Sequence, residues 1–196
     1  FFEELGKGKG AVILTAHIGN FDLLCMAATL KGIPLTIISK DIKPKALNDY
    51  WMGARCRYGM KTVPHHQSAR ACLKVLRKQE VLGFIFDQNM KRDEGVFVDF
   101  FGRPACTSPG LAFLSAASGA PVIPVFVVRK PDGRHLVVVG DAMEAPPDRE
   151  ESTILDYTRR YSRVLEDTIR KYPAQWFWLH RRWKTQPLPA ANTAGA

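Results

Sequence analysis

The stretch AVILTAHIGNFD, residues 11–22, indicates the fold class of the chain. The apolar run 10–16 is typical of a strand buried on both faces of a parallel sheet. Asn20 can then cap a helix that has Asp22 in its first turn. His17 stands between the two, where the strand has ended and the helix has not begun. This order predicts one strand–turn–helix unit of an α/β protein.

The same alternation continues along the chain and predicts a single α/β domain with a mostly parallel central sheet covered by helices on both faces. Further strands are predicted at 34–39, 61–64, 81–86, 121–128 and 135–140, and helices at 21–30, 44–58, 67–79, 108–118 and 151–172. Section 88–107 is expected to be rich in loops, with a short extended piece at 96–101. We assign residues 1–187 to this domain and 188–196 to a disordered tail.

Two segments bear on membrane insertion. The eighteen residues 111–128 carry no charge, but Gly119, Pro121 and Pro124 interrupt them, so they predict a buried helix followed by a buried strand. The first ten residues, FFEELGKGKG, have the composition of a chain interior. We therefore expect a further N-terminal segment to precede them in the full-length protein.

Composition and motifs exclude several classes of protein. The four cysteines form no C-x-x-C pair and His65 and His66 lack further ligands at a useful spacing, so we expect reduced thiols and no metal site. A G-x-S-x-G elbow and a G-x-G-x-x-G loop are both absent, which argues against serine hydrolases and dinucleotide-binding folds. The net charge of +9 favours an acidic partner: nucleic acid, anionic lipid, an acidic carrier or a phosphorylated substrate.

His17 and Asp22 form an H-x4-D pattern that could be a catalytic pair. On one helix the two side chains would point about 140° apart, so the pair requires His17 to lie in the turn before the helix. Asp22 could then orient the imidazole as a general base. A strand-end histidine beside a helix-start aspartate explains the same pattern. Because His17 and Asp87 both follow predicted buried strands, they are also expected at one edge of the sheet.

The segment WFWLHRRWK, residues 176–184, holds three of the four tryptophans together with Arg181 and Arg182. Aromatic and basic residues in this mixture suit a membrane interface or a phosphorylated, partly apolar ligand. They could also stack on nucleic-acid bases. The alternative is a C-terminal strand packed on the sheet edge, with its arginines in solvent.

Five motifs in order along the chain resemble those of the bacterial lipid A late acyltransferases, within the lysophospholipid acyltransferase superfamily. They are AHIGNFD (16–22), RYG (57–59), FDQN (86–89), FFGRPACTSPGLAFLSAASGAPVIPVF (100–126) and WFWLHRRWKTQP (176–187). Many lipid A members have Glu at the position of Asp22. The EGTR-type motif of the phospholipid branch is absent and FFGRPA stands in its neighbourhood, which favours the glycolipid branch.

The resemblance implies transfer of a fatty acyl chain from acyl carrier protein or CoA to a hydroxyl of a lipid A precursor or similar glycolipid. It implies an enzyme at the cytoplasmic face of the bacterial inner membrane, held by an N-terminal anchor, without cofactor or metal. The expected partners are acyl carrier protein, the glycolipid acceptor and an anionic membrane surface, and no nucleic acid. Acylation of lysophosphatidate or a mannosyl lipid is the alternative reaction, and a catalytically silent domain that binds lipid or nucleic acid is the alternative class.

By the same resemblance, the catalytic residues are His17 and Asp22, with Asp22 orienting His17. Substrate-binding, oxyanion-stabilising or supporting roles are expected for Asn20, Arg57, Asp87, Arg103, Arg181 and Arg182. Arg57 or a backbone N–H of the HIGN turn would stabilise the oxyanion, although Arg57 could instead pair with Asp87. No acyl-enzyme is needed, so Cys25 is expected to be dispensable.

Overall fold

The computed structural model describes residues 1–64 and 68–188. Its strands are β1 (Ala11–Thr15), β2 (Leu35–Ser39), β3 (Lys61–Pro64), β4 (Val81–Ile85), β5 (Val96–Phe100), β6 (Arg103–Thr107), β7 (Val122–Arg129) and β8 (His135–Val139). Its helices are α1 (Phe2–Gly6), α2 (Phe21–Leu30), α3 (Lys45–Arg57), α4 (Ser68–Arg77), α5 (Gly110–Ser118) and α6 (Glu151–Lys171).

Six strands form the central sheet in the order β3-β2-β4-β1-β7-β8. All neighbouring pairs are parallel except β7 and β8, which are antiparallel. All five residues of β1 are buried, as its unbroken apolar sequence predicts for a strand with a neighbour on each side and helices on each face. The prediction of a mostly parallel α/β sheet is confirmed.

The side chains of β1 alternate between two hydrophobic clusters. Val12 and Leu14 belong to the larger cluster, which also includes residues of α4, α5 and α6. Ala11 and Ile13 point to the other face and pack in a smaller cluster that includes Leu24 of α2. This division follows from the two-residue period of a strand. It leaves α2 directly over the sheet on the smaller side.

The structure corrects the prediction for section 88–107. It contains an antiparallel hairpin, β5–β6, which pairs Val96 with Thr107 and Phe100 with Arg103. Phe101 and Gly102 connect the strands with φ of 56° and 72°, and positive φ at both central residues is the geometry of the tightest hairpin turns. A phenylalanine at such a position is uncommon, because a side chain there is strained, so the turn gave no sequence signal.

The structure also bears on the predictions for residues 111–128 and for the two ends of the chain. Residues 111–128 form most of α5 and β7, as expected, and no described helix is long and apolar enough to cross a membrane. The short α1 was not predicted. The predicted disordered tail lies outside the described residues except for Leu188, as do His65 and His66.

The C-terminal segment, residues 173–187, does not form an edge strand. After α6 it crosses the carboxyl end of the sheet, where Trp176 makes an isolated antiparallel bridge with Ile18. Farther along, Trp183 packs on Phe100 at a ring-centroid distance of 5.8 Å. The segment therefore connects the loop after β1 to the β5–β6 hairpin.

Arg182 anchors this segment from inside the protein. It is only 1% exposed, and its guanidinium donates hydrogen bonds to the Cys106 carbonyl, at 2.8 Å, and to the Thr107 hydroxyl. The same group lies 5.0 Å from the centre of the Phe100 ring. Of the roles expected for Arg182, the structure fits the supporting one, because the guanidinium is buried and bound inside the protein.

Arg181 and Arg103 differ from Arg182 in being exposed. The Arg103 guanidinium lies 5.1 Å from the centre of the Trp183 ring, which places it over an aromatic face. Arg181 faces solvent, whereas the next side chain, that of Arg182, points into the protein, because the chain turns at residues 181–183. A role for either in binding a ligand stays a prediction.

The two neighbouring arginines provide a matched test of stability. We expect Arg182→Ala to lower the free energy of unfolding by about 2–4 kcal/mol, since it leaves the buried Thr107 hydroxyl oxygen without a donor and removes one of the two donors to the Cys106 carbonyl. Arg181→Ala, the control, should change it by less than about 0.5 kcal/mol. Urea denaturation followed by circular dichroism measures both. Equal stabilities would show that the Arg182 contacts contribute nothing to the fold.

Candidate active site

His17 and Asp87 meet at the carboxyl edge of the sheet. Thr15, the last residue of β1, is paired with Ile85, the last residue of β4, and the Phe86 N–H continues the pairing by donating to the Thr15 carbonyl at 2.9 Å. Two residues beyond the paired positions, Nδ1 of His17 lies 2.8 Å from Oδ1 of Asp87. Parallel register therefore brings together two side chains that are 70 residues apart.

Asp87 is 2% exposed and receives three N–H groups. The His17 backbone N–H donates to Oδ2 at 3.0 Å, the Trp176 indole N–H donates to Oδ2 at 2.9 Å, and the His17 ring nitrogen faces Oδ1. Burial raises the pKa of this carboxyl, but the hydrogen bonds and charge of His17 and the hydrogen bond of Trp176 outweigh it, so the pKa lies below its usual value. The carboxylate is ionised at neutral pH.

The hydrogen bond to Asp87 determines what the His17 ring can do. A carboxylate at Nδ1 requires a proton on that nitrogen and leaves Nε2 as the free lone pair of the neutral imidazole. The His17 side chain is 22% exposed, so a ligand can approach it. Phe21 packs edge-on against the ring with centroids 4.9 Å apart, and Phe177 lies at 6.3 Å. The arrangement is that of a general base held by a buried carboxylate.

Asp22 does not orient His17 in this structure, which corrects the sequence expectation. Its carboxylate forms an ion pair with Arg55 of α3, in which Nε and Nη2 both lie 2.8 Å from Oδ1. Arg55 also donates from Nη1 to Ser39 Oγ at 3.1 Å. Asp22 sits in the first turn of α2, where its carboxylate faces α3 and the end of β2. The expectation failed because a buried arginine nearby competes for the same carboxylate.

Arg57 does not pair with Asp87, which was one of its two expected roles, and stabilisation of the oxyanion stays a prediction. It is exposed at the end of α3, whereas Arg55 is 8% exposed and fills the inward position. Two residues on a helix are separated by about 200° of azimuth, so Arg55 and Arg57 point to opposite sides. The partners of Asp87 are His17 and Trp176, so the pairing of Arg57 with Asp87 is wrong.

The turn from His17 to Asn20 has little backbone hydrogen-bonding capacity left. The N–H of His17 donates to Asp87, that of Ile18 to the Ala16 carbonyl at 2.8 Å, and that of Gly19 to the Gln175 carbonyl at 2.9 Å. Asn20 caps α2, as predicted, because its Oδ1 accepts from the Leu23 N–H at 3.0 Å. The N–H groups of residues 17–19 are therefore already used inside the protein and are not free oxyanion donors.

Gly19 is required by the geometry of this turn. Its φ is +58°, and a Cβ atom built on it would lie 2.3 Å from the Val127 carbonyl oxygen. Only glycine combines that backbone conformation with so close an approach to β7. The HIGN turn therefore packs directly against β7. This packing fixes the position of the backbone next to His17, and with it the place where His17 contacts Asp87.

Sequence reasoning missed three residues that build this edge. Trp176 donates to Asp87, Arg55 holds Asp22, and His180 accepts a hydrogen bond at Nε2 from the Asn89 N–H at 2.8 Å. Burial lowers the pKa of His180, consistent with a neutral ring that accepts at Nε2. The position of Asp87 at the end of a buried strand indicates that it needs a partner. Trp176 could not be identified as that partner, because it is 89 residues away along the chain and no local pattern links the two.

An apolar cavity of about 290 Å³ lies between α2 and the sheet. Phe21 and Thr15 line it at the carboxyl edge, while Ile13, Gly83 and Leu24 line it farther in. Phe21 also contacts His17, so the cavity begins beside the imidazole. A dry apolar cavity of about 150 Å³ can already hold benzene, so this volume suffices for a larger hydrocarbon group.

A wider groove of about 930 Å³ opens on the other side of the HIGN turn. Gly19 and Asn20 form one wall, and Arg129, Lys130 and His135 lie on the turn between β7 and β8 or at its ends. Its basic residues are exposed. Neighbours of His17 therefore line both spaces: Phe21 lines the apolar cavity, and Gly19 and Asn20 line the groove that carries positive charge.

The cysteines and the acidic side chains offer no second centre among residues 1–64 and 68–188. All four cysteines are free, and no group of three His, Cys, Asp or Glu side chains in those residues could hold a metal ion. Cys25 lies in the wall of the apolar cavity, where burial raises the pKa of its thiol to about 12. A protonated thiol of this kind is a poor nucleophile.

The chain is similar to bacterial proteins named as acyltransferases of lipid A and of phosphatidylinositol mannosides. A lipid A biosynthesis acyltransferase of Haemophilus influenzae is 25% identical over 181 residues, which are 92% of this chain and 55% of that protein. The lipid A biosynthesis lauroyltransferase of Escherichia coli is 32% identical over 130 residues, 65% of this chain and 41% of that protein. A phosphatidylinositol mannoside acyltransferase of Mycolicibacterium smegmatis is 26% identical over 186 residues, 93% of this chain and 59% of that protein.

The chain thus spans about half the length of the relatives it matches. The sequence model of the family described as bacterial lipid A biosynthesis acyltransferase matches residues 1–185, which is nearly the whole chain. This protein belongs to the bacterial lipid A biosynthesis acyltransferase family.

Proposed function

We propose that this protein transfers a fatty acyl group from a thioester to a hydroxyl group of a glycolipid, with His17 as the general base. The observation that carries the proposal is the contact between His17 Nδ1 and the buried Asp87 carboxylate at 2.8 Å, which leaves Nε2 free on a partly exposed ring. Membership of an acyltransferase family supports the same reaction.

The proposed reaction is a direct displacement. Nε2 of His17 removes the proton of the acceptor hydroxyl while its oxygen attacks the thioester carbonyl. The resulting imidazolium is stabilised by Asp87, which stays ionised. The tetrahedral intermediate then collapses, the carbon–sulfur bond breaks, and the leaving thiolate takes the proton from His17. No covalent acyl-enzyme forms, and neither a metal nor a cofactor is needed besides the acyl donor.

The apolar cavity beside Phe21 is the proposed place for the acyl chain. Its walls are almost entirely hydrocarbon, and it begins next to the imidazole, so a thioester carbonyl at His17 would direct its alkyl chain inward. Gly83 lies on the floor of the cavity in β4, an interior strand of the sheet. A glycine weakens such a strand and commonly marks the close approach of a ligand.

The identities of the acceptor and the donor are finer proposals. A lipid A precursor is the leading acceptor, supported by the lipid A relatives and by Arg129 and Lys130 in the adjoining groove, which suit phosphate groups. A mannosyl lipid is the second candidate, because a phosphatidylinositol mannoside acyltransferase matches 93% of the chain. Acyl carrier protein, an acidic protein, is the proposed donor, in keeping with the net charge of +9.

The proposed location is the cytoplasmic face of the inner membrane. Phe177, Trp178 and Leu179 are 51%, 53% and 84% exposed and form an apolar surface, residues 177–179, that adjoins His17. Exposed Arg181 follows it directly. Aromatic and aliphatic side chains beside a cation favour the interface of an anionic bilayer. A lipid acceptor could then reach His17 without leaving the membrane.

The mechanism predicts that His17 and Asp87 act as one unit. With a lipid A precursor and either acyl carrier protein or CoA thioesters, His17→Ala should lower kcat/KM by about 10²-fold or more. Asp87→Asn should cause a comparable loss, because it removes the charge that stabilises the imidazolium. In the double variant the losses should overlap rather than multiply, as for residues that serve one step.

Asp22→Asn is the matched control, since it removes a carboxylate that pairs with Arg55 instead. Its effect should multiply with that of His17→Ala. The reverse pattern would identify Asp22 as the orienting carboxylate. In that case Asp22→Asn would lower kcat/KM no further in the His17→Ala background, whereas the loss from Asp87→Asn would multiply with that from His17→Ala. Undiminished turnover in His17→Ala would rule out the general-base mechanism altogether.

The cavity predicts a change in acyl-chain preference at position 83. A Cβ on Gly83 would lie 3.0 Å from Ile37 Cγ2 and 3.5 Å from Leu35 Cδ1, so Gly83→Ala must narrow the cavity. For the longest acyl donor that the wild type uses well, kcat/KM should fall about tenfold relative to a donor two carbons shorter. Gly53→Ala, in an open position of α3, should leave the preference unchanged. Identical chain-length profiles would place the acyl chain elsewhere.

The proposed membrane surface can be tested at one leucine. Leu179→Asp should reduce sedimentation of the protein with vesicles of phosphatidylethanolamine and phosphatidylglycerol several-fold, because it places a charge in an apolar contact with an anionic bilayer. Leu30→Asp is the control, since Leu30 is 70% exposed at the far end of α2. Equal losses in both variants, or none in either, would contradict a role for residues 177–179.

A further inference from the structure

Asp87 needs more than His17 to remain charged inside the protein. An ionised carboxylate buried from water is costly unless several donors bind it. Of the three N–H groups that reach Asp87, two belong to His17 and the third to Trp176, whose indole nitrogen lies 2.9 Å from Oδ2. Among residues 1–64 and 68–188, Trp176 is thus the one donor that comes from outside the turn that holds the proposed base.

The residues around Trp176 also hold the other side of the same turn. The Phe177 N–H donates to the His17 carbonyl at 2.9 Å, and the Gly19 N–H donates to the Gln175 carbonyl at 2.9 Å. Trp176 therefore enters the site from a short bridge that runs alongside residues 17–19. Its backbone neighbours fix the path of the turn, while its side chain acts on the carboxylate.

Trp176 also has an ordinary packing role, which must be separated from the hydrogen bond. It is 4% exposed and packs against the rings of Phe100, Trp178 and Trp183 at centroid distances of 5.9, 4.5 and 6.4 Å. A phenylalanine would preserve much of that packing. It would not replace the donor, because a phenylalanine ring has no N–H to give to Oδ2. The choice of tryptophan at this position therefore has a chemical reason beyond its size.

We propose that Trp176 is a positioning residue for acyl transfer: its indole N–H fixes the Asp87 carboxylate in the orientation that holds His17 Nδ1 and leaves Nε2 facing the substrate. This inference rests on the proposed function of His17 and Asp87 as a general-base unit. Trp176 acts through Asp87 and does not touch the reacting atoms.

The charged surroundings of Asp87 give the proposal a pH signature. His17 and Trp176 lower the pKa of Asp87, and His180 and Arg182 lie close enough to interact with its charge. A carboxyl whose pKa is depressed loses its charge as the pH falls through the depressed value. Without the Trp176 donor the Asp87 charge is less well solvated and binds a protonated imidazole more strongly, so activity should begin to fall at a higher pH on the acidic side.

The experiment compares Trp176→Phe with replacement of Trp176 by 3-benzothienylalanine, which keeps the shape of the indole and lacks the N–H. In both variants kcat should fall about tenfold with KM for donor and acceptor unchanged, and the acidic limb of the kcat/KM profile should move to higher pH. Trp183→Phe is the control. It loses an indole hydrogen bond to the Phe100 carbonyl in the same aromatic cluster and should change neither kcat nor the profile.

Unchanged kcat and an unchanged pH profile in the 3-benzothienylalanine variant would overturn the inference, even if Trp176→Phe fails to fold. An equal kcat loss in Trp183→Phe would reduce Trp176 to a packing residue. The same assays separate failure of this inference from failure of the proposed function. Full activity in His17→Ala would contradict the general-base mechanism itself. Normal activity in the Trp176 variants together with loss of activity in His17→Ala would contradict only the role of Trp176.

Discussion

The ionised carboxylate of Asp87 is the group on which the rest of this site depends. Because it is buried, it must collect N–H donors, and the donors available are His17 at one end of the chain and Trp176 near the other. The need of the buried Asp87 charge for hydrogen-bond donors therefore joins the ends of two neighbouring strands, β1 and β4, to the C-terminal segment. The same contact fixes the tautomer of His17, so stability and chemistry are satisfied by one set of hydrogen bonds.

The carboxyl edge of the sheet holds two carboxylates that have different hydrogen-bonding partners. Asp87 accepts hydrogen bonds from His17 and Trp176, whereas Asp22 pairs with Arg55, which also reaches Ser39 at the end of β2. Since each carboxylate has its own hydrogen-bonding partners, a change at one need not disturb the other. The first turn of α2 is thereby joined to α3, and the wall of the apolar cavity is held in place by an ion pair.

Part of this arrangement followed from the sequence, because it depends on local patterns. The apolar run before His17 predicted a buried parallel strand, and strand ends predicted that His17 and Asp87 would share an edge of the sheet. The capping role of Asn20 was equally local. Each of these conclusions needs only a few neighbouring residues and the general geometry of parallel sheets.

Other parts required the tertiary structure. The partner of Asp22 depends on which face of α3 is buried, and α3 has a weak apolar pattern, so Arg55 and Arg57 were not distinguishable. The burial of Arg182 depends on the β5–β6 hairpin, whose turn uses an uncommon phenylalanine with positive φ. Trp176 meets Asp87 across 89 residues, and such long-range contacts leave no periodic signal.

The path of the C-terminal segment has a consequence for biosynthesis. The ribosome synthesises a chain from the N-terminus to the C-terminus. The strands that present His17 and Asp87 can therefore pair before residues 173–187 emerge. Until that late segment arrives, Asp87 lacks its indole donor, and the turn at residues 17–19 lacks its backbone bridge. A nascent or prematurely terminated chain therefore carries an incomplete centre. The strands that carry His17 and Asp87 are therefore available to pair before the segment that completes their hydrogen bonds has been made.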